Sequence, residues 1–198
     1  MTTARVGCVS IHDVVMNKRQ VDFEKKLSLA EMLKESGKGY VSGFFGKGCT
    51  PLGWFKDHGY DETDFIHKHP NGNGHGDWWE PADKTLIPLD DPKRVFSLAK
   101  TSNAFLEKRA KDTKPFFLTI SHYALHVRNM SLKSTRRKYL DIVAEREGIK
   151  NKIPDISNFD DNAEEMPLKM RAHWERANYA AMMENMDTSI GMVLDQLN

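Results

Sequence analysis

The amino-acid sequence predicts an α/β protein built on a mostly parallel β-sheet. Helical and strand-like segments alternate along the 198-residue chain, and a loop follows each strand-like segment. Residues 116–120 form a continuous apolar run, which is typical of a parallel strand buried on both faces. The alternation is the pattern of βαβ units, in which helices cover the two faces of a parallel sheet.

The first predicted elements are a short helix and a strand. Ser28 suits the N-cap position and Glu31 follows three residues later, so together they predict a capping box. Gly37 can end this helix in the left-handed region. The apolar residues 40–45 then predict a strand that ends at Gly46.

Three further helices are predicted from residue 91 onward. Asp91 as N-cap and Pro92 as first helical residue begin a helix that runs to about residue 111. A basic helix covers about 132–147, and its cationic residues 136–138 are predicted to form a solvated face. The last helix begins near residue 167, and an apolar stripe along it predicts core packing. The stripe consists of Tyr179, Met182, Met183, Met186, Ile190, Val193, Leu194 and Leu197.

Residues 46–91 are predicted to form a long irregular loop, because glycine and proline recur throughout them. The loop carries two sets of side chains that could bind a ligand. A zinc site could use His67, His69 and His75 with Asp64 and Asp77, although a polar loop explains the same residues. The side chains of Trp54, Trp78 and Trp79 could stack on sugar rings, or they could anchor the loop by burial.

The charge balance and the lack of long apolar runs limit the kinds of partner that the sequence predicts. Lys plus Arg is 29 and Asp plus Glu is 28, so the formal charge is +1 and nothing favours a nucleic-acid partner. No apolar run is long enough to span a membrane, and the N-terminal residues lack the apolar stretch of a signal peptide. Cys8 and Cys49 are interpreted as free thiols. The compartment and the oligomeric state stay open.

Two loops are placed to carry chemistry, because ligands of open α/β sheets bind beyond the carboxyl ends of the strands. Lys47 lies between two glycines directly after the first strand. His122 and His126 follow the second strand. A lysine and a histidine that meet above the sheet edge suit an oxyanion ester, since one offsets charge and the other gives a proton to the leaving group. A solvated lysine and a structural histidine remain the alternatives.

Three segments resemble motifs of a known family. Residues 27–64 resemble a capped helix and a strand followed by G-K-W-H and a later G-[FY]-D. Residues 114–126 (K-P-F-F-L-T-I-S-H-Y-A-L-H) resemble K-P-F-F-L-x-x-S-x-x-A-P-H, and residues 179–197 resemble the helix Y-x-A-x-[IV]-x-x-[ML]-D-x-x-[IV]-G. The family is the formylglycine-dependent sulfatases of the alkaline-phosphatase superfamily. The resemblance covers about 27–198, while 1–26 are divergent.

The resemblance implies a three-layer alkaline-phosphatase-like fold and hydrolysis of the sulfate ester of a small molecule or glycan. In complete family members a formylglycine hydrate attacks sulfur, and a divalent cation, usually calcium, holds the nucleophile and a sulfate oxygen. Lys47 matches the lysine of G-K-W-H, which contacts a sulfate oxygen. His126 matches the histidine of A-P-H, which lies on the leaving-group side, and His122 is a further candidate for substrate binding.

The sequence also departs from the family pattern. Gly48 and Cys49 replace the last two residues of G-K-W-H, and Leu125 replaces the proline of A-P-H. The residues from Cys8 to His12 do not match the nucleophile motif C-x-[PA]-x-R, and no metal-ligand set is recognisable. We therefore expect residues 1–198 to be one incomplete sulfatase domain, the middle of a larger one, with little turnover alone. A non-catalytic carbohydrate-binding remnant and a phosphoryl-transfer relative are the alternatives.

Overall fold

The computed structural model describes residues 27–47, 58–64, 90–125, 129–149 and 168–198. The chain divides into two compact units, one made of Met1–Phe65 with Ala104–Ser121 and one made of Ile66–Asn103 with His122–Asn198. We call them the sheet unit and the helical unit. Within the described ranges the elements are α1 (Leu29–Glu35), β1 (Val41–Gly46), β2 (Glu62–Thr63), α2 (Val95–Arg109), β3 (Phe116–Ser121), α3 (Lys133–Arg146) and α4 (Leu168–Leu197).

The described residues of the sheet unit form three parallel strands in the order β2-β1-β3. β1 pairs with β3 along its whole length, from Val41 opposite Phe116 to Gly46 opposite Ser121. β2 pairs with the middle of β1. The parallel pairing confirms the predicted α/β class. None of the helices in the described parts of the chain is long and apolar enough to cross a membrane.

β1 is covered on both faces, which explains why apolar residues of this strand occur on both sides of the sheet. On one face the rings of Phe45 and Phe105 meet edge to face with their centroids 5.8 Å apart. On the other face Phe44 meets Tyr60 in the same way at 5.3 Å. Gly43 leaves room for the Phe105 ring, because a Cβ atom at this position would lie 3.1 Å from it.

The predicted capping box is present at the start of α1. The Ser28 hydroxyl oxygen accepts the Glu31 backbone N–H at 3.1 Å, and the Glu31 carboxylate accepts the Ser28 N–H. The same hydroxyl donates to the carbonyl oxygen of His58 at 2.6 Å. The cap therefore also attaches the segment 58–64 to the helix.

The segment 58–64 lies inside the predicted loop 46–91, and its strand β2 was not predicted. Its backbone approaches α1 closely at Gly59, where φ is 87° and a Cβ atom would lie 2.8 Å from the Glu31 nitrogen. Two residues later, Asp61 accepts the Ser42 N–H of β1 at 2.8 Å. A strand of two residues leaves no period of alternating hydrophobicity, so the sequence pattern gave no signal for it.

In the helical unit, the helix predicted from Asp91 and Pro92 begins later than expected. Pro92–Arg94 form a 3₁₀ turn, and the α-helix α2 begins at Val95. The backbone kinks at Lys93, where φ is 56°. Asp91 still stabilises the start of the helix, because its carboxylate accepts the Phe96 N–H at 2.8 Å.

The N-terminus of α3 has no side-chain cap from its own Leu132. Two asparagines of α4 instead attach the segment that leads into α3. The side-chain oxygen of Asn185 accepts the Leu132 N–H at 3.0 Å. Asn178 accepts the Ser131 hydroxyl at 2.5 Å and donates to the carbonyl oxygen of Asn129 at 2.7 Å. Both asparagines are buried, and these bonds satisfy their polar groups.

Two predictions for the helical unit are wrong in part. Arg136 does not belong to a solvated face, because it is 6% exposed and its guanidinium lies 5.2 Å from the centre of the Trp174 ring. The apolar stripe of α4 is not all core. Met182 and Val193 are buried, but five of the eight residues in the stripe are exposed, because the hydrogen-bonded asparagines and small residues occupy much of the buried face. The exposed members are Tyr179, Met183, Ile190, Leu194 and Leu197.

Gly59→Ala should destabilise the sheet unit by about 3 kcal/mol, because the new methyl group meets the α1 backbone and a left-handed φ is unfavourable for alanine. Gly37→Ala is the matched control. Gly37 also has a positive φ of 69°, but nothing lies within 4 Å of its Cβ position, so about 1 kcal/mol is expected. Urea unfolding followed by circular dichroism measures both losses, and equal losses would contradict the close approach at Gly59.

Candidate functional site

Lys47 is the first residue after β1, at the carboxyl end of the central strand of the sheet unit. Gly46 directly before it has a φ of 105°, a conformation that residues with a Cβ atom rarely adopt. The Lys47 N–H donates to the carbonyl oxygen of Ser121, the last residue of β3, at 2.7 Å. The sheet therefore fixes the backbone from which this half-buried lysine side chain extends.

Asp64 provides a second attachment at the same place. Its carboxylate oxygen Oδ1 accepts the Gly46 N–H at 2.8 Å. Asp64 follows β2, which ends at Thr63, so a side chain extends the attachment where main-chain pairing has stopped. Sequence reasoning considered Asp64 only as a zinc ligand, and no motif in the sequence pointed to this hydrogen bond.

The segment that carries Asp64 is itself tied to β1 by Asp61. Its carboxylate accepts the backbone N–H of Ser42 at 2.8 Å and lies 3.1 Å from the Ser42 hydroxyl. Partial burial by itself raises the pKa of Asp61, but the hydrogen bonds from Ser42 and from the Lys34 ammonium outweigh it. The net pKa lies below its ordinary value of 3.8, so the carboxylate stays charged and the attachment holds at neutral pH.

His122 is the first residue after β3 in the chain, and it is described with the helical unit. Its ring nitrogen Nδ1 is buried and has no hydrogen-bond partner among the residues that the structure describes. Burial lowers the pKa of His122 below its ordinary value of 6.5, because the imidazolium would lose hydration. The imidazole is therefore neutral near pH 7. It can donate or accept a hydrogen bond, but it does not supply a fixed positive charge.

The loop after His122 departs from the family pattern in its backbone as well as its sequence. Tyr123 is buried, and Leu125 has a φ of 29°. The ring of a proline fixes φ near −65°, so the proline of the A-P-H motif could not adopt the conformation seen at Leu125. The substitution of leucine for proline thus permits a different loop backbone directly before His126.

Several predicted candidates lie outside the described residues, and the structure does not place them. His126 is the most important, and the predicted pairing of Lys47 with it stays a prediction. The others are Cys8, Gly48, Cys49, Trp54, His67, His69, His75, Asp77, Trp78 and Trp79. Of the predicted zinc set, Asp64 alone is described, and it contacts the Gly46 N–H.

The comparison with known families decides the class of the protein. The family model described as Sulfatase matches residues 7–198. The chain belongs to the sulfatase family. No curated protein matches it. The match confirms the resemblance drawn from the three motifs, and the parallel sheet with its helices is compatible with a partial alkaline-phosphatase-like fold. The family assigns the chain to the hydrolases that act on sulfate esters.

The described residues contain no recognisable ligand set for the calcium ion that the family implies. Calcium takes six to eight oxygen ligands, most of them carboxylates and carbonyls. Among the described residues, no group of three or more His, Cys, Asp or Glu side chains could hold a metal ion.

The lowered pKa of His122 predicts that stability falls in mild acid. The unfolded chain binds a proton at this histidine near pH 6.5, whereas the folded chain binds it only at lower pH. The free energy of unfolding should therefore decrease as the pH falls from about 6.5 to the lowered pKa of the folded state. His122→Phe removes the titrating group, and thermal unfolding between pH 8 and pH 5 should then vary less with pH than in the wild type. Identical pH profiles would contradict the buried, neutral imidazole.

Proposed function

We propose that the chain supplies part of the active site of a sulfatase that hydrolyses a sulfate ester of a carbohydrate. Lys47 binds and stabilises the sulfate group, His126 donates a proton to the leaving group, and His122 is a further substrate contact. The observation that carries the proposal is the position of Lys47. It follows a glycine with positive φ at the carboxyl end of the central strand, where open α/β sheets bind their ligands.

Charge development explains why a lysine is useful at this point. When a nucleophile attacks sulfur, negative charge builds up on the sulfate oxygens and on the oxygen of the leaving group. An ammonium group held close to one sulfate oxygen stabilises that charge more in the transition state than in the ground state. The hydrogen bond between the Lys47 N–H and Ser121 supports this role, because it reduces the backbone motion behind the ammonium.

The leaving group requires a proton source, because a sugar alkoxide is a poor leaving group in water. An oxygen nucleophile forms a bond to sulfur as the bond between sulfur and the ester oxygen breaks, and His126 transfers its proton to that ester oxygen, so that the alcohol leaves. Over the whole reaction one water molecule is consumed, and the products are the alcohol and hydrogen sulfate. His122 is unsuited to this transfer at neutral pH, since burial lowers its pKa.

We also propose that residues 1–198 alone turn over sulfate esters slowly or not at all. The sequence contains no match to the nucleophile motif C-x-[PA]-x-R. Lysine and histidine would serve a phosphate ester equally well, so the comparison of sulfate and phosphate monoesters belongs to the test. A preference for phosphate would assign the segment to the phosphoryl-transfer relatives instead.

Lys47→Ala and His126→Ala should each reduce sulfate-ester hydrolysis by about 100-fold or more when they are introduced into an active sulfatase that carries this segment. Hydrolysis of an aryl sulfate under steady-state conditions measures the loss. Lys38→Ala is the matched control, because Lys38 is an exposed lysine elsewhere in the sheet unit, and it should retain wild-type rates. Wild-type rates from both site variants would refute the assignment.

A further inference from the structure

We propose that Asp64 is a positioning residue for Lys47. Its carboxylate holds the Gly46 N–H and so fixes the backbone from which the lysine side chain approaches the sulfate group. This inference rests on the proposed function, because it assigns Asp64 to the same site. It goes further by naming a residue that touches neither substrate nor cofactor and acts through Lys47.

The argument begins with two consecutive backbone N–H groups. The Gly46 N–H donates to Asp64 on the side of β2, at 2.8 Å. The next N–H, that of Lys47, donates to Ser121 on the side of β3, at 2.7 Å. These two bonds therefore hold the backbone at Gly46 and Lys47 from both sides.

A side chain is needed on the β2 side because the strand there is too short. β2 pairs with β1 only at Gly43 and Phe44, and it ends at Thr63. The carboxylate of Asp64 reaches the N–H group of Gly46, two residues further along β1. A hydrogen bond to a charged acceptor is roughly twice as strong as one between neutral groups, so this bond is a firm substitute for strand pairing.

Gly46 makes the attachment important. Glycine has the widest choice of backbone conformations, and here it adopts a φ of 105° at the point where the chain leaves the strand. Without the bond to Asp64, Gly46 could take up other conformations, and each would change the direction of the Lys47 side chain. We therefore expect the loss of Asp64 to weaken anion binding while Lys47 itself remains present.

Asp61 provides the control for a merely structural role. It belongs to the same segment, carries the same side chain and accepts a backbone N–H of the same strand, but at Ser42, well before Lys47. Asp61→Ala should lower the melting temperature by loosening the segment. At temperatures at which the protein is folded, it should weaken anion binding far less than Asp64→Ala does, because the bond between Asp64 and the Gly46 N–H remains.

The experiment measures binding of inorganic sulfate to the whole chain by NMR titration. Asp64→Ala should weaken sulfate binding about ten-fold, the effect of losing about one hydrogen bond of net stabilisation. Asp64→Asn keeps an acceptor oxygen at the same position and should restore binding to within about three-fold of the wild type. Wild-type affinity in Asp64→Ala, or an equal loss in Asp61→Ala, would overturn the proposal.

Two further measurements separate this inference from the proposed function. Lys47→Ala tests the anion site itself, and unchanged sulfate affinity in that variant would refute the role of Lys47. Hydrogen exchange of the Gly46 amide tests the positioning without any ligand. Exchange should accelerate in Asp64→Ala and stay slow in Asp64→Asn and Asp61→Ala. If the amide exchanges at the wild-type rate in Asp64→Ala, the positioning role fails even where Lys47 binds sulfate.

Discussion

The placement of β1 between two parallel neighbours is the constraint on which the sheet unit depends. A central parallel strand must find hydrogen-bond partners at both edges and apolar partners on both faces. β3 satisfies one edge along the full length of β1, and the segment 58–64 satisfies part of the other. Phe105 and Tyr60 cover the two faces. The end of this strand is consequently a fixed point, and Lys47 begins there.

The segment 58–64 achieves with side chains what a longer strand would achieve with its backbone. Gly59 lies against α1, and Asp61 and Asp64 accept N–H groups near the two ends of β1. Carboxylates are good substitutes for carbonyl oxygens in this role, because they accept strong hydrogen bonds and remain charged at neutral pH. The G-Y-D motif that resembles the sulfatases therefore has a structural explanation here, in the contacts of Gly59 and Asp61.

Features that depend on local interactions were predictable from the sequence, and features that depend on distant partners were not. The capping box of Ser28 and Glu31 lies within one turn of helix, and it was predicted correctly. The buried face of α4 was mispredicted, because Asn178 and Asn185 find their partners near residues 129–135. The burial of Arg136 depends on Trp174, far away in the sequence. Hydrophobic periodicity cannot identify a polar face that is buried with its hydrogen bonds satisfied.

The same distinction applies to the candidate site. The position of Lys47 after a strand was predicted from the apolar run 40–45 that ends at Gly46, and the sheet confirms where that strand ends. The attachment by Asp64 was not predicted, since it joins residues 18 positions apart and the intervening chain gives no periodic signal. A reacting side chain is recognised by its chemistry, whereas the group that aims it is recognised by geometry. In this sulfatase segment, the proposed positioning role of Asp64 depends on two backbone hydrogen bonds. The Gly46 N–H donates to the Asp64 carboxylate, and the Lys47 N–H donates to the carbonyl oxygen of Ser121 in β3.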